Sequence, residues 1–152
     1  MTTELRSPDY EDTFSIPCPP GITMSDVIMA SLKSTPGFVK VLLNARDSIV
    51  SRLGLKTGES IGPIEPSQIK SGAKVGPLEI GELTHSKVIV GMDDTHLDFR
   101  MIATIQGSVL NCTTQVRFNN KFGRLYFLVI KPFHIVIVPS MLRATINALD
   151  QT

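Results

Sequence analysis

Between Leu97 and Ile105 the side chains alternate with a period of two. Leu97, Phe99, Met101, Ala103 and Ile105 fall on one side, and Asp98, Arg100, Ile102 and Thr104 on the other. That is the pattern of a strand with one face buried. Gln106-Gly107-Ser108-Val109 follows, with glycine at the first central position of a two-residue type II′ turn. Closing the chain there pairs Gln106 with Val109 and fixes the rest: Ile105 with Leu110, Ala103 with Cys112, Met101 with Thr114, Phe99 with Val116 and Leu97 with Phe118. On the opposite side Arg100 meets Gln115 and Asp98 meets Arg117. A slip of one residue would set apolar side chains against polar ones throughout, so the register is well specified. Upstream, pairing Met92 with Leu97 across Asp93-Asp94-Thr95-His96 sets Val90 against Phe99 and Val88 against Met101. One apolar surface then crosses three antiparallel strands and needs a cover.

The other elements follow from periodicity and punctuation. Met1 to Asp9 reads as a loose end, and Tyr10 to Ile16 as a short strand stopped by Pro17-Cys18-Pro19-Pro20-Gly21. A helix starts near Ser25-Asp26. A second starts at Thr35-Pro36, with threonine as N-cap and proline in the first helical position. Phe38, Val41, Leu42, Ala45, Ile49 and Leu53 recur there at helical spacing, as a core-facing stripe would. Residues 56–74 are rich in glycine and proline and read as a long loop or lid. Val75 to Leu83 and Lys87 to Met92 read as strands. Arg124 to Lys131 reads as a last strand, apolar on both faces. A final helix from Pro132 to about Leu149 has the stripe Phe133, Ile137, Met141, Ala144 and Ala148. The β-branched run Ile135-Val136-Ile137-Val138 and Pro139 oppose it, so the residues alone leave helix or strand open there.

With 152 residues the expectation is one domain with a full core. Fifteen basic residues face 14 acidic ones, so net charge gives no reason to expect nucleic acid or an anionic membrane as partner. Met1 to Asp12 contains no apolar leader, and Ile135 to Leu142 is too short to span a bilayer. Cys18 and Cys112 have no metal or redox spacing, which suits reduced thiols in a cytoplasmic protein.

Candidate chemistry is sparse. Asp93, Asp94, His96 and Asp98 have the donor types of a metal site, but turn formation and an Asp98–Arg117 pair account for them more simply. Arg100 and Arg124 could grip an anionic head group, although Arg100 lies on the face away from Phe99 and Met101. His134 could act as a general base but has no evident partner. Cys112, on an inner strand face, reads as a core thiol rather than a nucleophile.

Four stretches carry a resemblance: Gly-Met-Asp-Asp-Thr-His-Leu-Asp-Phe-Arg (91–100), Asn-Asn-Lys-Phe-Gly-Arg-Leu-Tyr (119–126), Ile-Lys-Pro-Phe-His-Ile-Val-Ile-Val (130–138) and Met-Leu-Arg-Ala (141–144). They resemble an uncharacterised bacterial family, domain of unknown function 2867, placed with the START-like, pollen-allergen-like helix-grip superfamily (SRPBCC). The resemblance implies an α+β helix-grip fold, a curved antiparallel sheet of about six strands around a long C-terminal α-helix, and so a helix after Pro132. It also implies an apolar cavity between sheet and helix. The expected lining is Val90, Phe99, Met101, Thr114, Val116, Tyr126 and His134, with Tyr126 inward if residues 119–123 form the preceding loop.

The function expected is the binding of a small apolar or amphipathic ligand, with no cofactor, metal or nucleic acid. Two alternatives stand beside it. One is a cyclase- or hydratase-type enzyme using the same cavity, with His134 or Tyr126 as acid or base. The other is a homodimer or higher oligomer with a filled core, joined through Leu125, Phe127 and Val129.

Overall fold

The computed structural model describes residues 2–54, 64–75 and 77–151. Six strands form a single antiparallel, curved sheet: β1 (Tyr10–Pro17), β2 (Lys74–Val75), β3 (Leu78–Leu83), β4 (Lys87–Asp93), β5 (Leu97–Gln106) and β6 (Val109–Phe118). Their order across the sheet is β1-β6-β5-β4-β3-β2. Two helices, α1 (Met24–Lys33) and α2 (Gly37–Arg52), follow β1, and α3 (Lys121–Asp150) ends the fold. The architecture is α+β and consistent with a helix-grip.

The β5–β6 hairpin has the register that alternation dictates, from Leu97 opposite Phe118 to Gln106 opposite Val109. Gly107 takes φ +60°, the left-handed conformation that such a turn requires. The β4–β5 hairpin differs from expectation by two residues. Met92 pairs with Phe99, Val90 with Met101 and Val88 with Ala103. Asp94 N–H donates to Leu97 C=O at 3.1 Å, which closes a tighter turn over Thr95-His96. A slip of two residues keeps every side chain on its face, so the apolar surface survives the change. The expected strand over Val75 to Leu83 is instead the short β2 and β3, paired with each other.

α1 starts with a capping box: Thr23 Oγ1 accepts from Asp26 N–H at 3.2 Å, and Asp26 Oδ2 accepts from Thr23 N–H at 2.8 Å. α2 begins one residue later than expected, with Pro36 as its N-cap. Its stripe is turned the other way from the expectation. Val39 and Val50 are buried, whereas Phe38, Val41, Ile49 and Leu53 face out.

The largest correction concerns residues 121–131, which are helix and not strand. Asn120 caps α3, its Oδ1 accepting from Gly123 N–H at 2.9 Å. At Gly123 the helix passes so close to the β4–β5 turn that a Cβ would lie 1.9 Å from His96 C=O. Pro132 therefore sits inside one 30-residue helix instead of starting one, and that helix also runs through Pro139.

α3 lies along the inner face of the sheet and joins two apolar clusters. Phe127 packs with Leu97 and Val116. Ile146 packs with Cys18, Met24, Val27, Ile80, Val88 and Leu110. The outer face is also covered in part, contrary to the loose start expected for the chain. Thr2 and Leu5 are buried, and Leu5 N–H donates to Gln115 Oε1 at 2.9 Å. Gly81 leaves room for this strap, since a Cβ there would lie 1.8 Å from Thr2 C=O. Residues 56–63 of the expected lid lie outside the described residues. Those from Glu65 onward form a short 3₁₀ turn, Pro66–Gln68, leading to β2.

Candidate functional site

Strand pairing lines up the inner-face side chains in rows. Tyr10, Val116, Phe99 and Met92 make one row, and Asp12, Thr114, Met101 and Val90 the next. Phe14, Cys112, Ala103 and Val88 make a third. Five of the seven expected lining residues thus fall in two adjacent rows on one side of the sheet. The other two, Tyr126 and His134, come from α3. Val116 and Thr114 are fully buried, and Val90, Phe99 and Met101 partly so.

His134 is where the helix meets the second row. Its Nε2 lies 2.8 Å from Asp12 Oδ2, with both side chains largely withdrawn from solvent. Tyr10 Oη donates to the same oxygen at 2.5 Å. The imidazole is flanked edge-on by Tyr10 and tilted against Phe14, with ring centroids 6.4 and 6.3 Å away. Lys131 Nζ stands 5.0 Å from the Tyr10 ring centroid. Burial first, then the hydrogen bond to Asp12 and its negative charge, push the Tyr10 phenol up to about 12, so it stays a proton donor across the neutral range.

Oδ2 of Asp12 has two partners, while Oδ1 is buried with none. Across the strand pair, Thr114 Oγ1 is likewise buried without a partner. Unmatched buried oxygens cost on the order of 1–3 kcal/mol each and are uncommon. Two on neighbouring strands of one row mark a place where a hydrogen-bonding group is called for. They sit between the two apolar clusters: His134 lies on α3 between Phe127 and Ile146.

Tyr126 is half-buried beside Leu97, Val116 and Phe127. Burial is the main cause that pushes its phenol above the ordinary value, with the nearby Arg46 opposing and Asp47 and Asp94 adding. Phe127, its neighbour on α3, is the more deeply buried. A helix can turn both toward the interior, as a strand cannot. Cys112 lies in the third row, where burial and then the charge of Asp12 push its thiol up to about 12, far from a reactive thiolate.

The remaining candidates are engaged elsewhere. Asp94 Oδ1 accepts from Thr95 N–H at 2.7 Å, and His96 Nδ1 lies 3.1 Å from Asn120 Nδ2. Asp98 pairs with Arg117 as the register requires. Arg100 is neither a head-group clamp nor a solvated charge. It is buried under the N-terminal strap, where its Nε donates to Thr3 C=O at 2.7 Å and its Nη1 meets Asp93 at 2.7 Å. Arg124 lies over the Phe118 ring, 5.0 Å from its centroid. On α2, Asn44, Asp47, Ser48 and Ser51 line a wide, open depression of about 370 Å³, polar where the expected cavity is apolar.

Sequence reasoning missed Tyr10 and Asp12. The signal was present: Tyr10, Asp12, Phe14 and Ile16 share a face in β1, and a carboxylate in that otherwise apolar set is the oddity.

No curated protein and no solved structure matches the chain. A family model does, over residues 5–141, and its description is protein of unknown function (DUF2867). That match covers most of the sequence, including every residue of the Tyr10–Asp12–His134 cluster, and the chain belongs to this family.

Proposed function

We propose that this chain binds a small amphipathic molecule between the inner face of the sheet and α3. Val90, Phe99, Met101 and Val116 take its apolar part, and Asp12, Thr114 and His134 its polar end. The observation that carries this reading is the pair of unpartnered buried oxygens, Asp12 Oδ1 and Thr114 Oγ1, on one row beside His134. A ligand donor reaching both would remove two desolvation penalties at once, while its apolar portion gains roughly 25 cal/mol per Å² buried, before association costs. The resemblance to the START-like helix-grip superfamily fits the same reading.

Thermal melts with a lipid and aromatic panel test it. A binder raises the melting temperature of the wild type, and Ala103→Leu, in the row next to Thr114, abolishes that shift by adding bulk where the ligand's apolar part is proposed to lie. Thr114→Val separates stability from binding. Removing an unsatisfied hydroxyl stabilises the ligand-free protein by about 1 kcal/mol, yet diminishes the ligand-induced shift. A panel in which no compound raises the melting temperature removes the basis of the reading.

A second reading, proton transfer of the cyclase or hydratase kind in the same place, is favoured by the Asp12–His134 contact. A carboxylate on Nε2 fixes the proton there and leaves Nδ1 as the basic nitrogen, with Tyr10 as a neutral donor on the same carboxylate. Mass spectrometry of bound compounds distinguishes the two. Chemical conversion that is lost in His134→Asn while binding persists identifies an enzyme, and recovery of every compound unchanged identifies a carrier.

A further inference from the structure

The surface of α3 opposite the sheet is apolar and uncovered among the described residues. Leu125 is 51 % exposed and Leu128 63 %. Ile135 and Val136 are nearly half exposed, and Pro132, between Leu128 and Ile135 in the helix, is exposed too. These positions recur at helical spacing, so they make one stripe along the helix rather than scattered single residues. The helix is long and apolar enough to cross a bilayer by length and composition, with a mean hydropathy of 1.8 over 18 residues, of which 11 % are buried.

Charge accompanies the stripe. α3 carries Lys121, Arg124, Lys131 and Arg143, all exposed, and its one acidic residue, Asp150, is its last. α2 adds exposed Phe38, Val41 and Ile49, with Lys40 and Arg52, while its single carboxylate, Asp47, is held by Arg46 at 2.6 Å. The whole chain is nearly neutral, so the acidic residues lie mainly on the sheet and loops. Net charge conceals this separation.

We propose that α3 docks, parallel to the surface, on an anionic lipid bilayer, its stripe Leu125, Leu128, Pro132, Ile135 and Val136 entering the interface and its basic residues meeting the head groups. Apolar side chains edged by cations without carboxylates are the composition of an interfacial helix. Spanning is disfavoured because the other side of α3 supplies Phe127, Val138 and Ile146 to the core. A second copy of the chain is the poorer occupant, since a two-fold contact would bring the same cations together.

The test is co-sedimentation of the full chain with vesicles of phosphatidylcholine alone or of equal parts phosphatidylcholine and phosphatidylglycerol. The expected result is binding to the anionic vesicles only, weakening as salt rises. Leu128→Asp and Ile135→Asp should each weaken it at least tenfold with an unchanged melting temperature, because both sites are exposed. Arg143→Gln should weaken it about fivefold, from roughly 1 kcal/mol per basic residue near the surface. Three results overturn the proposal: no sedimentation with anionic vesicles at low salt; binding indifferent to Leu128→Asp; or, by light scattering, a stable dimer that Leu128→Asp dissociates, which would assign the stripe to a second copy.

Discussion

Asp98 is buried on the outer face of β5, where Arg117 donates from Nε at 3.1 Å and from Nη2, and Asn119 Nδ2 donates at 3.0 Å to the other oxygen. Burial alone would raise its pKa. The hydrogen bonds from Arg117 and Asn119, and the charges of Arg117 and Arg100, outweigh it and hold the carboxyl below the usual value. A depressed folded pKa stabilises the fold above the unfolded value near 3.9, and that contribution is lost as pH falls through the folded value. Asp98→Asn should therefore cost about 2 kcal/mol at pH 6, and the gap from wild type should narrow only as urea melts are taken to pH values below the ordinary aspartate pKa. A gap independent of pH would show that the charge contributes nothing. This pair was legible because register alone sets Asp98 opposite Arg117. Asp12 was not legible in the same way, because its partner, His134, comes from a helix 122 residues away.

At the scale of elements, the sheet was easier to read than the helices. Period two identifies β5 and β6 and fixes their pairing, since one face is buried and the other is not. In α3 the interior side and the outward stripe are both apolar, so between Arg124 and Lys131 no charged position reveals a period of 3.6. The same physics misleads in α2, whose clearest stripe is exposed. Pro132 and Pro139, seven apart, share the outward side of α3. Each removes one helical N–H, leaving the carbonyls of Leu128 and Ile135 without a donor, and both of those residues are exposed to water. Pro132→Ala restores one hydrogen bond at a solvent-facing position, and should raise stability by about 2 kcal/mol, read as a higher midpoint in thermal or urea melts. A midpoint that falls would mean that the proline geometry is required by packing. Gly123→Ala is expected to act in the opposite direction, lowering stability by about 3 kcal/mol, because the added methyl meets the backbone of His96 and cannot be relieved by a rotamer change.

For the molecule as a whole, the outer face is completed by the first residues of the chain. Thr3 C=O accepts from buried Arg100, Leu5 N–H donates to Gln115, and Glu4 pairs with Lys87 at 2.8 Å. Deleting residues 1–5 strips Arg100 of one hydrogen bond and exposes Leu5's site. The expected loss is on the order of 3 kcal/mol, measured by chemical denaturation against the full chain. An unchanged midpoint would reduce the strap to an ornament.

The strap and β1 also constrain how this protein comes into being. Thr13 in β1 finds its partner Thr113 only 100 residues later, and the strap rests on β3 to β6. Both are therefore seated only once β6 has been made. Until translation has passed β6, β1 has no neighbour and its alternating apolar side chains remain exposed, so it waits unpaired while β2 to β6 are made.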